Sequence, residues 1–375
     1  MPSTHLRTDK DNGRVLIVGP LPPPIGGVSS HIAGLANLLV SNSLNCTVID
    51  SYPAKGDKIK IEGITHTTCG GHFRYLKVIS VLCRTNKRKN EVIHFHFSSI
   101  IGKILPLSLL LPKFKRKFFL TVHHGNQTQI FNESNWLLKL LAKLVLGRMD
   151  MVFALSQAQL EFFLSIGIPQ KKILLWRVPA LLPIVSNEEL LPKSIHNLHP
   201  VENGGPLSIL LTSGYSNEHY QFEDCLKLLN KASALFPCCL IVCFYGISQN
   251  KKYEEQLRNK LSQYSNVFIV EALPPSGFHA LLSRASIYLR PSKVDSYGLA
   301  ITEALNLDIP CVASDICERD DRCITYPLGD YEKFEQKSLN ILTLGRQLKY
   351  RQSIEALQTD GLKVIIDCYK SMFEQ

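Results

Sequence analysis

Short apolar runs alternate with amphipathic stretches along most of this chain, and that alternation constrains the fold more than any other feature. "RVLIVGP" (14–20), "CTVIDSY" (46–52), "EVIHFHF" (91–97), "KFFLTVHH" (117–124) and "MDMVFALS" (149–156) read as strands. Between them, "HIAGLANLLVSNS" (31–43), "FRYLKVISVLCRT" (73–85), "IGKILPLSLLL" (101–111) and "WLLKLLAKLVLGR" (136–148) read as helices. Strands without polar alternation, separated by helix-length segments, predict a parallel sheet covered on both faces. The pattern dissolves into prolines, asparagines and "ENGGP" between 178 and 206, then resumes with strand candidates at 207–214, 238–246, 266–272, 285–292 and 309–315.

The chain therefore divides into residues 1–180, a connection at 181–206, a second unit at 207–350 and a helical C-terminal segment at 351–375, with packing back onto the first unit as one option. Its 375 residues suit two α/β domains rather than one enlarged core. Ligands of such sheets bind beyond the carboxyl ends of the strands, so functional residues are expected where strands stop.

Charge is unevenly spread. Residues 1–180 hold 23 Lys/Arg against 9 Asp/Glu, a balance of +14, whereas the remainder carries −4. "RTNKRKN" (84–90) and "KFKRKFF" (113–119) concentrate it. An inner-membrane surface, a merely solvated face and nucleic acid are the alternatives, nucleic acid being last because no finger, RNP or helix-turn-helix pattern accompanies the charge. No apolar stretch is long enough to span a bilayer, and the polar N-terminus does not resemble a signal peptide. The eleven cysteines include no C-x-x-C pair and are expected as free thiols, those at 238, 239 and 243 in a buried strand. These features predict a cytoplasmic protein, peripheral on the inner membrane.

The stretch "RPSKVDSYGLAITEALNLDIPCVASD" (290–315) carries the chemistry. A strand ends at Pro291-Ser292, a loop carries Asp295, and Tyr297-Gly298-Leu299 open a helix containing Glu303. Free N–H groups at that start attract anions, and Gly298 allows close approach. Glu303 can reach a group beside such an anion, with Asp295 on its other side.

This segment resembles the retaining glycosyltransferases of the GT-B fold, family 4. Their hallmark is an acidic residue, seven residues, then Glu-Ala, here Asp295 and Glu303-Ala304 with Tyr297-Gly298 between. "VLIVGPLPPPIGGVSSHI" resembles the family's first strand and glycine loop, "LTVHHG" its acceptor-side strand end, and "MDMVFALSQAQLEFF" its last N-domain strand and helix. The resemblance implies an α/β fold of two Rossmann-like parallel-sheet domains facing across a cleft. It also implies a nucleotide-diphosphate sugar as donor, with no metal and no cofactor. Glu303 would hold the ribose, Asp295 the sugar hydroxyls, and Gly298 and Leu299 the phosphates. His123 would contact the sugar or a phosphate, while His94, His96 and His124 lie on the acceptor side. Gly26 and Gly27 would bring backbone to the donor.

The chain departs from the family at three places. Asp295 stands where Glu is usual. Gly214 is kept, but Tyr215 and Tyr220 take the places of an arginine and a lysine that neutralise the diphosphate; Arg290, Lys293 and His219 are candidate replacements. "NLD" (306–308) replaces a turn glycine. The expected activity is transfer of a hexose-like sugar, with retention, to a hydroxyl of a lipid-linked or polysaccharide acceptor of the bacterial surface, a capsule or O-antigen. The missing cations keep open an alternative: a catalytically weak or inactive scaffold that binds a sugar or a partner transferase.

Overall fold

The computed structural model describes residues 13–23, 26–52, 61–71, 73–84, 91–100, 108–113, 116–123, 125, 127–176, 186–200, 207–245, 250–271, 273–295, 297–344 and 365–373. The expected helix at 101–111 lies largely outside these, as do His124, the basic run 85–90 and most of the segment 351–375.

The N-terminal sheet has seven parallel strands. They are β1 (Arg14–Gly19), β2 (Asn45–Asp50), β3 (Thr65–Thr68), β4 (Glu91–Phe97), β5 (Arg116–Val122), β6 (Met151–Ala154) and β7 (Ile173–Leu175), in the order β3-β2-β1-β4-β5-β6-β7. The C-terminal sheet has six: β8 (Ser208–Gly214), β9 (Cys238–Phe244), β10 (Val267–Glu271), β11 (Ile287–Arg290), β12 (Cys311–Ser314) and β13 (Ile324–Tyr326), in the order β10-β9-β8-β11-β12-β13. The strand order reverses beside β1 and β8, the two switch points where such sheets open a crevice.

The period-2 alternation of a strand explains the unbroken apolar runs. On one face of the first sheet, Leu16, Val18, Ile93, Phe95, Phe118 and Leu120 share a core; on the other, Val15, Ile17, Val92 and Phe119 join a second. That second core also takes Ile365, Ile366 and Tyr369 of the helix at 365–373. The second domain repeats the scheme, with Ile209 and Leu211 against one layer of helices and Leu210 against the other.

Two polar devices brace the architecture. Glu91 and Arg116 are register partners on β4 and β5, and their buried side chains pair at 2.9 Å. In the stretch 186–200, Leu191 and Ile195 belong to the C-terminal core, and Arg284 donates to the carbonyls of Ile195 and Leu198. Much of the expected connection thus packs as part of the second domain. No helix among the described residues is long and apolar enough to cross a membrane.

Candidate functional site

The first side of the site is built from β1, β4, β5 and the helix Gly27–Ser41. After Gly19 the chain turns along Asp50, whose carboxylate accepts from the Leu21 and Tyr52 N–H groups. Gly26 precedes the helix in an extended conformation, and its carbonyl accepts from the Ser30 N–H and the Ser29 hydroxyl. A Cβ on Gly26 would collide with the Tyr215 hydroxyl from the other domain, whereas a Cβ on Gly27 would meet nothing within 4 Å. The two glycines therefore do different work. Gly26 accommodates the facing domain, and Gly27 leaves the cleft open.

The phase of β4 places His94 and His96 with Val92 on the side of Gly27–Ser41, and the phase of β5 places Thr121 and His123 there too. His94 is held between the Tyr369 hydroxyl and Thr121 Oγ1, the latter at 2.8 Å. His96 Nδ1 and His123 Nε2 lie 3.0 Å apart. His31, on the helix, completes the group, with its ring 4.8 Å from His123 and 5.3 Å from His96. Burial removes water from these rings and disfavours their charged form. His31, His94 and His96 are driven well below the usual histidine range by burial and then by their neighbours, and burial pushes His123 down to about 3. At neutral pH the cluster is an uncharged set of donors and acceptors. Among the described residues, His31, His96 and His123 bring ligand atoms within 4.8 Å of one another and could hold a metal ion.

The second side is organised around Asp295. Arg290, at the end of β11, reaches it through Nε at 2.9 Å and the more distant terminal nitrogen at 3.2 Å; Arg319 reaches it at 2.9 Å. Burial alone would raise the Asp295 pKa, but the two guanidiniums overcome it and hold the carboxyl well below its usual range. The trio carries a net charge of +1. Arg290 also donates to the Ser213 carbonyl and the Tyr245 hydroxyl, and its guanidinium lies 4.5 Å from the Tyr220 ring centre.

Tyr220, at the expected lysine place, lies against Gly214 so closely that no Cβ would fit there. Tyr215 and Tyr245 meet edge to face at 5.5 Å. Burial pushes Tyr215 up to about 12, so it is a neutral hydroxyl near pH 7.

Gly298 has φ +82°, a left-handed conformation, and a Cβ there would stand 2.7 Å from Arg319. The helix Leu299–Leu305 follows. Leu299 packs against the N-terminal core, and Glu303 lies 3.7 Å from His279 on the helix Pro275–Leu282.

Between the two sides runs an open cleft, lined by Gly26, Gly27 and Ser30 on one wall and by Tyr245, Leu299 and Glu303 on the other. Cys243 also lines it, but burial raises its thiol to about 12, which removes it as a nucleophile.

The structure brings Gly26, Gly27, Leu299 and Glu303 onto one cleft, and His94, His96 and His123 into one cluster. Asp295, Arg290 and Tyr297 form a separate knot, in which the Tyr297 carbonyl accepts from Arg319. Lys293 is exposed, and its backbone N–H donates to the His219 carbonyl. Sequence reasoning missed His31, His279 and Arg319. His31 was within reach, because it follows Gly27 by one helical turn. Arg319 sits in an irregular loop after β12, where no periodicity marks it.

The profile of the family described as Glycosyl transferases group 1 matches residues 208–321. No curated protein sequence matches the chain. Among solved structures, sucrose-phosphate synthase from Thermosynechococcus elongatus aligns with a TM-score of 0.65 at 14% identity, covering 97% of each chain. The Anabaena protein HepE in complex with UDP-glucose aligns at 0.65 and 13% identity, covering 96% of this chain and 94% of that one. The lipopolysaccharide outer core galactosyltransferase WaaB aligns at 0.56 and 15% identity, covering 96% and 98%. These likenesses establish the GT-B fold, two parallel-sheet domains facing across a cleft.

Proposed function

We propose that this chain, with its glycosyl transferases group 1 domain at residues 208–321, is a retaining enzyme of family 4 type. It moves a sugar from a nucleotide-diphosphate donor to a hydroxyl of a lipid-linked or polysaccharide acceptor of the bacterial surface. The observation that carries this reading is Glu303 on one wall of the cleft facing Gly26, Gly27 and Ser30 on the other. A carboxylate suited to a ribose diol thus faces backbone that can approach a phosphate or a sugar. HepE was solved with UDP-glucose, so a UDP-sugar is the first donor to test.

In this mechanism the bond between the sugar's anomeric carbon and the diphosphate oxygen breaks while the acceptor oxygen bonds to the same face. The acceptor proton passes to the departing phosphate oxygen. Catalysis then depends on stabilising charge on the diphosphate. Tyr215 and Tyr220 supply none, and in our reading the net +1 of Arg290, Asp295 and Arg319 takes over part of that task. Asp295 then acts chiefly by fixing the two arginines, a role different from direct contact with sugar hydroxyls. The neutral cluster of His96 and His123 offers hydrogen bonds to the sugar from the acceptor side. No metal or cofactor is invoked.

The test is transfer of radiolabelled sugar from a panel of UDP- and GDP-sugars to membrane-derived acceptors, paired with calorimetry for UDP and GDP. Transfer that Glu303→Ala reduces at least tenfold supports the reading. No transfer from any donor, with neither UDP nor GDP bound tightly and Glu303→Ala without effect, would favour the scaffold alternative, which the two tyrosines motivate.

A further inference from the structure

The helix Trp136–Arg148 is apolar on both sides. Ala142, Val145 and Leu146 are buried in the N-terminal core. The opposite side presents Trp136 at 75% exposure, Leu137 at 49%, Leu140 at 45% and Leu144 at 51%. Their spacing puts them on one face, with Lys143 exposed among them. A helix apolar all round is ordinarily enclosed by protein or membrane. Leu110, 68% exposed, extends the patch, because its turn is held to the end of this helix by Arg148, which donates to the Leu109 and Leu111 carbonyls.

Charge identifies what covers this face. The helix contains Lys139, Lys143 and Arg148 and no acidic residue, and Lys172 lies against its C-terminal end through the Gly147 and Met149 carbonyls. Tryptophan at one end, leucines along the face and lysines among them suit the boundary between lipid headgroups and acyl chains. Lysine stems can lie on apolar surface while their amines reach the headgroups. A second copy fits less well, since a two-fold contact would bring two Lys143 side chains together.

We propose that this helix docks flat on an anionic bilayer, with Trp136, Leu137, Leu140 and Leu144 entering the headgroup–acyl boundary. The inference extends the lipid side of the proposed function but rests on the helix surface alone. Its test therefore needs no transfer activity.

The chain contains two tryptophans, and Trp176 is 1% exposed, so a change in emission on adding vesicles reports Trp136. Vesicles of phosphatidylcholine with one-third phosphatidylglycerol should shift the emission to the blue and carry the full chain in flotation. Phosphatidylcholine alone should do so far less. The double variant Leu140→Glu/Leu144→Glu, with unchanged circular dichroism and UDP binding, should lose vesicle affinity at least tenfold. Equal flotation of parent and variant would overturn the proposal, as would a parent that ignores anionic vesicles. A lipid-independent dimer dissolved by the double variant would overturn it in favour of self-association.

Discussion

The Tyr215 hydroxyl of the C-terminal domain lies where a side chain on Gly26 of the N-terminal domain would have to be. This contact ties the glycine loop of one sheet to the first strand end of the other, across the cleft that Glu303 lines. Gly26→Ala should therefore shift the facing domains or displace Tyr215, and lower transfer at least tenfold with the fold retained. Tyr215→Phe removes the offending oxygen and leaves the ring carbon at 3.5 Å, an ordinary contact. The double variant should recover most of the loss. Additive losses would show that the two residues do not act on each other.

Gly27 makes the contrasting case. With nothing within 4 Å of a Cβ at its position, Gly27→Val places its side chain in the cleft instead. Donor affinity should fall while the melting temperature changes little. Unchanged affinity would return the glycine loop to the status of a plain strand-to-helix turn.

The pair Glu91 and Arg116 joins β4 to β5 with both side chains at most 2% exposed. Removing one partner leaves a buried charge uncompensated, which costs about 3–5 kcal/mol. Denaturant unfolding of Glu91→Ala should show a loss of that size, and a loss under 1 kcal/mol would mean that water reaches Arg116.

Acid sensitivity follows from the histidine cluster. The unfolded chain binds protons at these residues near pH 6.5, while the folded chain does so only far lower, with His123 at about 3. Below pH 6.5 the unfolded state takes up protons that the folded state refuses, so stability falls with pH. For His123 alone the penalty at pH 5 is about 2 kcal/mol. Asp295 acts in a lower window: its depressed pKa contributes stability above about pH 4 that is lost on further acidification. Melting temperature should drop between pH 7 and pH 5, and His123→Gln should flatten that slope. An unchanged slope in the variant would mean that His123 is protonated at its ordinary pH in the fold.

Much of this was legible in the sequence because the strands are buried on both faces. Uninterrupted runs such as "RVLIVG" and "CCLIVCF" leave little choice of element, and the parallel order puts Gly26 and Gly27 after β1 and Asp295 and Glu303 after β11. β3 reads "THTT", β7 has three residues and β13 reads "ITY". Edge strands so short or so polar give no run to recognise. The turn at 306–308 also has a physical reason: Asp308 has φ +59°, so the conformation that glycine ordinarily serves is kept without the glycine. Pairing through space was the part that could not be read. Nothing in the spacing announces that Arg319 joins Arg290 on Asp295, or that Tyr220 lies under Arg290, because these contacts depend on loops between β11, β12 and β8.

In the proposed reaction Glu303 holds the donor nucleotide. Calorimetric titration of UDP into the parent, Glu303→Ala and Glu303→Gln tests it most directly. A hydrogen bond donated by a ribose hydroxyl to a charged carboxylate contributes about 1.5–3 kcal/mol. The expected result is a weakening of UDP binding by tenfold or more in both variants, with unchanged melting temperature. Equal affinity in all three proteins would contradict the assignment of this cleft as the donor site.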